Sequence, residues 1–303
     1  MVQSTPMKSL SLVFLAALAL AQEAKPRVDH VVIVSIDGLR PDAIDKAPAP
    51  TLQALIKQGA WCPKAQTIVP SITLPSHASM LTGLDIQRHG ITWNDFRPGN
   101  IDHPTIFSEA KAAGRSTAMF FAKAKFHYLI RPGSVDFIYG SLPDNDADDP
   151  TTTAPELAKA FAKEWGAKRF ALTFIHIREP DSAGHGQGWM GEDYLKAVVT
   201  SDHALGAIIE AIRKTGLWEK TALIVTADHG GSGRNHVENI PENTTIPWIC
   251  TGPGVKAGLE IDRTVRTCDT AATALFLLGL PQTKGIQGKP VGEALPCPVQ
   301  KNP

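Results

Sequence analysis

VVIVSID, residues 31–37, is an unbroken apolar run that ends in an aspartate. A strand that is apolar on both faces is buried on both faces, which is the condition of a strand inside a parallel sheet covered by helices. Working outward, TLQALIKQGA (51–60) has the spacing of a helix, TIFSEAKAAG and STAMFFA repeat the helix–strand step, and VDFIYG adds a short strand. The polar stretch PDNDADDPTTT leads into a helix at APELAKAFAKEWG, then the strand RFALTFIHI (169–177) and the long helix within MGEDYLKAVVTSDHALGAIIEAIRKTG. TALIVTAD (221–228) and TIPWICTG (245–252) read as further strands and AATALFLLG as the last helix. This alternation predicts an α/β fold: one doubly wound, mostly parallel sheet with helices on both faces.

The chain has 303 residues, 43% of them hydrophobic and 20% charged, with 30 basic residues balancing 30 acidic ones. That balance gives no bulk electrostatic reason for a nucleic-acid partner or an anionic membrane surface. An anionic substrate has to be held by a local site. At the N-terminus, Lys8 precedes LSLVFLAALALA, which closes on the small-x-small pattern Ala19-Leu20-Ala21. We read residues 1–21 as a signal peptide and 22–303 as a single exported catalytic domain, periplasmic or secreted, with no stable membrane insertion after cleavage. Export permits disulfides, and Cys62, Cys250, Cys268 and Cys297 allow three pairings among which the sequence does not choose.

The informative residues are acidic. Asp37 ends the first strand, Asp181 follows RFALTFIHI, and Asp228 ends TALIVTAD. In open α/β sheets the ligand site lies beyond the carboxyl ends of the strands. Three carboxylates delivered there repel one another unless a cation neutralises them, although any one of them could equally cap a helix. Histidines tip the balance: His185 follows Asp181 in EPDSAGHG, His229 follows Asp228 in TADHGG, and His236 closes HGGSGRNH. Imidazole and carboxylate without thiolate point to zinc, and the set is too large for one tetrahedral ion. Two ions about 4 Å apart would use them all and form the clamp of phosphoryl transfer. The glycines of HGGSGRNH let the backbone turn back so that His236 reaches the site; no Lys-Ser or Lys-Thr follows, so this is not a Walker loop. His176 inside a strand and His203 inside a helix read as structural.

Residues 71–83, SITLPSHASMLTG, open a helix whose exposed N–H groups favour an anion. Thr73 or Ser76 could be a simple N-cap. Beside two zinc ions, the Thr73 hydroxyl could instead act as a nucleophile. In FFAKAKFHYLIRPG (120–133), Lys123 and Lys125 follow a strand at the same sheet edge. They are candidate contacts to a phosphoryl group or a solvated pair. Trp93 and Trp189 either stack on a leaving group or are packed.

The stretches VSIDGLRPD, TLPSHASMLTGLDIQRHGITWN, EPDSAGHG and TADHGGSGRNH, in that order, resemble the alkaline phosphatase superfamily, most closely its nucleotide pyrophosphatase/phosphodiesterase branch. The resemblance implies one metal held by Asp37, Thr73, Asp228 and His229, and a second by Asp181, His185 and His236. Asn94 matches the family's phosphate-oxygen-binding asparagine. Sulfatases of the superfamily carry a Cys or Ser followed by x-Pro-x-Arg; here Thr73-Leu74-Pro75-Ser76-His77 has neither, which disfavours sulfatase chemistry. The chain is shorter than typical pyrophosphatase relatives. The reading is an exported two-zinc phosphohydrolase acting on phosphodiesters or nucleotide-type pyrophosphates through a phosphothreonine. Phosphomonoesterase activity at the same site is the alternative, and a non-catalytic metal-dependent binding protein is the remoter one.

Overall fold

Three strands from distant parts of the chain lie side by side at the centre of the sheet and carry the predicted aspartates at their ends. The structure, a computed structural model, describes residues 28–142, 149 and 151–295. The predicted signal peptide and Cys297 lie outside these residues. The strands are β1 (His30–Ile36), β2 (Ala60–Gln66), β3 (Thr117–Phe121), β4 (Phe137–Gly140), β5 (Leu172–Ile177), β6 (Thr221–Thr226), β7 (Thr245–Thr251) and β8 (Leu259–Glu260). They form one sheet in the order β4-β3-β5-β1-β6-β7-β2-β8. Only β7 runs against its neighbours β6 and β2; the other pairings are parallel.

The helices are α1 (Pro41–Lys46), α2 (Pro50–Gln58), α3 (Thr73–Thr82), α4 (Ile86–His89), α5 (Ile106–Ala112), α6 (Ala154–Lys168), α7 (Glu179–Gln187), α8 (Glu192–Lys214), α9 (Pro241–Thr244) and α10 (Asp269–Leu277). Contacts divide most of them into two layers, with α1, α2, α6 and α7 packed on α8 and with α4, α5 and α10 packed on α3. Burying β1, β5 and β6 completely between those layers accounts for their continuous apolar sequences. Among the described residues, no helix is long and apolar enough to cross a membrane. Cys62, Cys250 and Cys268 are free and buried.

Several elements were not foreseen: the strands β2 and β8 and the short helices α1, α4, α7 and α9. β2 contains Pro63, which removes a ladder donor and argues against a strand; a register shift between Cys62 and Ala65 absorbs it. Asp181 does not hang from a strand end but sits in the first turn of α7, where the exposed N–H groups of a helix favour a carboxylate.

Candidate active site

Register sets the site. Ser35 of β1 pairs with Thr226 of β6, so Asp37 and Asp228, each two residues further on, stand abreast. Ile36 pairs with Ile177 of β5, and the chain then turns into α7 with the Asp181 N–H donating to the Asp37 carbonyl at 3.0 Å. Gly38 takes a left-handed φ of 72°, and a Cβ there would lie 3.0 Å from Asp181 Cα. Glycine therefore permits both the turn and the close approach.

Each carboxylate uses one oxygen on the protein and leaves the other unpartnered and buried. Asp37 Oδ2 accepts from Lys123 Nζ at 2.7 Å and His176 Nε2 at 2.8 Å. Asp181 Oδ2 accepts from the same ammonium at 2.6 Å. Asp228 Oδ1 accepts from the N–H groups of Gly38 and His229 at 3.1 and 3.0 Å. Asp37 Oδ1, Asp181 Oδ1 and Asp228 Oδ2 have no hydrogen-bond partner. Orphaned buried carboxylate oxygens are costly unless a cation faces them.

The imidazoles obey the same rule. Nδ1 of His229, His236 and His185 lies 2.8, 2.5 and 3.1 Å from the carbonyls of Gly230, Ser71 and Arg234. A carbonyl only accepts, so Nδ1 carries the proton and Nε2 presents a lone pair, the tautomer a metal requires. His229 Nε2 lies 3.3 Å from both Asp37 Oδ1 and Asp228 Oδ2, and 3.4 Å from Thr73 Oγ1. His185 Nε2 is 3.3 Å from Asp181 Oδ1 and 3.1 Å from His236 Nε2. Two facing lone pairs at that distance again call for a cation. Asp37, Asp181 and His229 form one group able to hold a metal, and Asp181, His185 and His236 another. The second group coincides with the set implied by the resemblance; in the first, Asp181 appears where the resemblance has Asp228. The donor set of each group, carboxylate oxygens and imidazole nitrogens around buried orphaned atoms, fits a metal ion.

Electrostatics reflects this crowding. Burial, then the Asp37 charge, pushes the Asp228 carboxyl well above its usual range. Burial also pushes Asp37 up, but Lys123, His176 and His229 outweigh it and hold that carboxyl well below. Burial and the neighbouring His229 bring His236 down to about 4, while the Asp181 carboxylate beside it raises His185.

Thr73 is the first residue of α3 and not its cap: the N-cap is Ile72, which has no capping side chain. Ser76 is no cap either, because its hydroxyl donates to the Asp228 carbonyl at 2.8 Å. The Leu74 N–H donates to Asn94 Oδ1 at 2.9 Å, which fixes the Asn94 amide beside Thr73 with its NH₂ group as the donor end. His77, buried one turn along α3, lies 2.8 Å from both the Thr73 carbonyl and Ser35 Oγ. Lys123, a candidate substrate contact, instead joins two carboxylates. Lys125 lies in the 3₁₀ turn Ala124–Leu129, partly buried. Trp93 packs edge-on against Tyr128 at 5.2 Å and carries Arg97 4.6 Å over its ring, so one face is already covered. Trp189 is buried, and His203 is exposed on α8. Sequence reasoning set His176 aside and did not single out His77. Their partners lie on other strands, although the four-residue spacing of His77 from Thr73 was a readable sign.

A sheet of this order, with an Asp/His cluster beyond its central strands and a threonine at a helix mouth, is an alkaline-phosphatase-like fold. The sequence model for type I phosphodiesterase / nucleotide pyrophosphatase matches residues 31–247, and the chain belongs to that family of phosphate-ester hydrolases. Human ectonucleotide pyrophosphatase/phosphodiesterase family member 5 is 26% identical over 230 residues, 71% of this chain and 48% of the relative. Bis(5'-adenosyl)-triphosphatase of Xenopus laevis is 27% identical over 241 residues, 74% of this chain and 51% of the relative. The chain thus spans about half the length of these curated relatives. In fold it matches the solved human member 5 at a TM-score of 0.74 and 16% identity, covering 88% of this chain and 99% of that one. It matches a phosphonate monoester hydrolase from Silicibacter pomeroyi at 0.70 and 17% identity, covering 90% and 78%. An inactive threonine-to-alanine form of the murine member 5, in complex with AMP, matches at 0.72 and 17% identity, covering 84% and 96%.

Proposed function

We propose that this chain is an exported two-zinc phosphohydrolase that cleaves phosphodiester or nucleotide-type pyrophosphate bonds through a phosphothreonine at Thr73. The observation that carries the reading is the convergence of three orphaned carboxylate oxygens and three bare imidazole nitrogens beside the Thr73 hydroxyl. Asp37, Asp228, His229 and Thr73 would hold one ion, and Asp181, His185 and His236 the other. Bound there, zinc supplies Lewis acidity that favours an alkoxide at neutral pH and neutralises developing negative charge.

The protein's own part follows from the geometry. Thr73 Oγ1 forms a bond to phosphorus as the bond to the leaving oxygen opposite it breaks. Water then attacks from the side the leaving group vacated, breaking the phosphorus–Thr73 bond in line and freeing the threonine. Asn94 Nδ2 and the Thr73 backbone N–H donate to the non-bridging oxygens as their charge grows. Lys123 keeps Asp37 and Asp181 oriented and offsets their charge. Relatives named for nucleotide pyrophosphate cleavage, and one solved with AMP, support the nucleotide class. The apolar N-terminal run supports export.

Assays with bis-p-nitrophenyl phosphate and p-nitrophenyl phosphate, with and without zinc, separate these activities from a binding protein that has none. Thr73→Ala should lower kcat by several orders of magnitude, and Thr73→Ser should keep part of it. Two in-line displacements each invert phosphorus, so a chiral substrate should give net retention. Inversion would reduce Thr73 to a ligand.

A further inference from the structure

The two halves of the site are built differently. Asp37, Asp228 and His229 follow two paired central strands, so backbone pairing alone places them. His185 and His236 have no such support: one projects from α7, the other from the loop after β6. Between those two segments stands Trp189, which is 7% exposed. Its ring is clamped between two glycines, since a Cβ on Gly184 would lie 2.5 Å from Cδ2 and one on Gly231 2.1 Å from Cε2. Its edge-on contacts are with both outer ligands, at centroid distances of 5.1 Å to His185 and 5.9 Å to His236. Its indole N–H donates 3.0 Å to the Gly38 carbonyl, beside Asp37, and its backbone N–H donates 2.8 Å to the Gly233 carbonyl. Gly188 and Met190, on either side, both have left-handed φ values of 99° and 67°. Met190 is a residue type that adopts this region only when its surroundings impose it.

We infer that Trp189 is the positioning residue of the outer metal half-site: its ring sets the separation of α7 from the 230–236 loop, and so the distance from His185 to His236 and from both to the strand-borne ligands. The inference rests on the two-ion reading for its metal consequence, but the placement of the loop is a property of the chain itself. Indole fills the gap that two glycines leave, and Gly184 and Gly231 are glycine because any Cβ would displace the ring.

Zinc binding is measured by equilibrium dialysis with metal analysis, and backbone order by hydrogen–deuterium exchange in EDTA. Wild type should bind two equivalents. Trp189→Ala should weaken one of them about 10–100-fold, the usual effect of losing a support behind a ligand, and leave the other unchanged. Trp189→Phe, which keeps a ring in the gap, should restore most of the loss. Gly231→Ala, which keeps the indole but pushes it aside, should reproduce it. In a His236→Ala background, already reduced to one equivalent, Trp189→Ala should change nothing further. Exchange should quicken in 184–188 and 230–237 and stay unchanged in β1 and β6. Equal weakening of both equivalents, or of neither, would overturn the inference, as would faster exchange across the whole sheet. If wild type bound a single equivalent, the two-ion reading would fall, and the exchange pattern alone would decide the role of Trp189.

Discussion

Replacing Lys123 by methionine removes the one ammonium shared by Asp37 and Asp181 while nearly keeping its length. The contacts are 2.7 and 2.6 Å, with side-chain exposures of 7%, 0% and 5% for Lys123, Asp37 and Asp181. At an effective dielectric near 20, each contact is worth about 6 kcal/mol of Coulomb energy, most of which offsets desolvation of the charges. Removing one partner of such a buried pair leaves a net loss of about 3–5 kcal/mol. Proton uptake limits it: holding an ordinary Asp carboxyl protonated at pH 7 costs about 4 kcal/mol, and at pH 5 only about 1.5 kcal/mol. The folded variant thus has a carboxyl whose pKa lies above its unfolded value, a contribution present at low pH and lost as pH rises. Urea unfolding in EDTA should show Lys123→Met less stable by about 3–4 kcal/mol at pH 7 and by roughly 1–2 kcal/mol at pH 5. Zinc should shrink the deficit, because a cation at the orphaned oxygens takes over part of the neutralisation. Equal deficits at the two pH values would mean lost packing and refute the charge argument. No deficit at all would remove Lys123 from the site's electrostatics.

Asn94→Ala should lower kcat by about 10²–10³ with a smaller change in KM, since its donor acts on charge that grows in the transition state; steady-state kinetics on a diester decide it. His89 accepts the Ile91 N–H at Nδ1 and donates to Ser79 Oγ, and burial followed by the charge of His103 brings it down to about 4. Its folded pKa lies below the unfolded value near 6.5, so this stability is full above pH 6.5 and drains away as pH falls toward 4. His89→Gln should flatten that part of the stability–pH curve. Gly83 ends α3 at a φ of 72°, and a Cβ there would meet Ile286 at 2.4 Å. Gly83→Ala should cost at least about 1 kcal/mol in urea unfolding.

The sheet's centre was legible because β1, β5 and β6 are buried on both faces and say so in unbroken apolar sequence. Asp37 and Asp228 were legible because strand ends face the ligand edge, and His236 because glycines bring the chain back. What escaped depends on partners far along the chain. His176 looks like a core histidine until Asp37, 139 positions away, is seen to accept from it. Lys123 looks like a surface cation until the turn after β1 and the first turn of α7 bring two carboxylates to it. Trp189 could be read as a stacking platform because nothing local shows that Gly184 and Gly231 close on both sides of it. β2 was hidden by Pro63, whose missing donor is tolerated only because the ladder shifts there.

The register that sets Asp37 abreast of Asp228 also dictates when the site can exist. Gly38 and Asp228, joined by a hydrogen bond, are 190 positions apart, so the loop they close is most of the domain. Closing it comes late, after the local helices and the outer strands have formed. On the ribosome, neither ligand set is complete until His229 and His236 have emerged, so metal cannot nucleate the fold from a local fragment. Zinc added at the start of refolding should leave the early phases untouched and act on the final docking of β6 against β1. A chain stalled before that step would expose the facing edges of two strands, β1 and β6, and its hazard would be aggregation and not loss of metal.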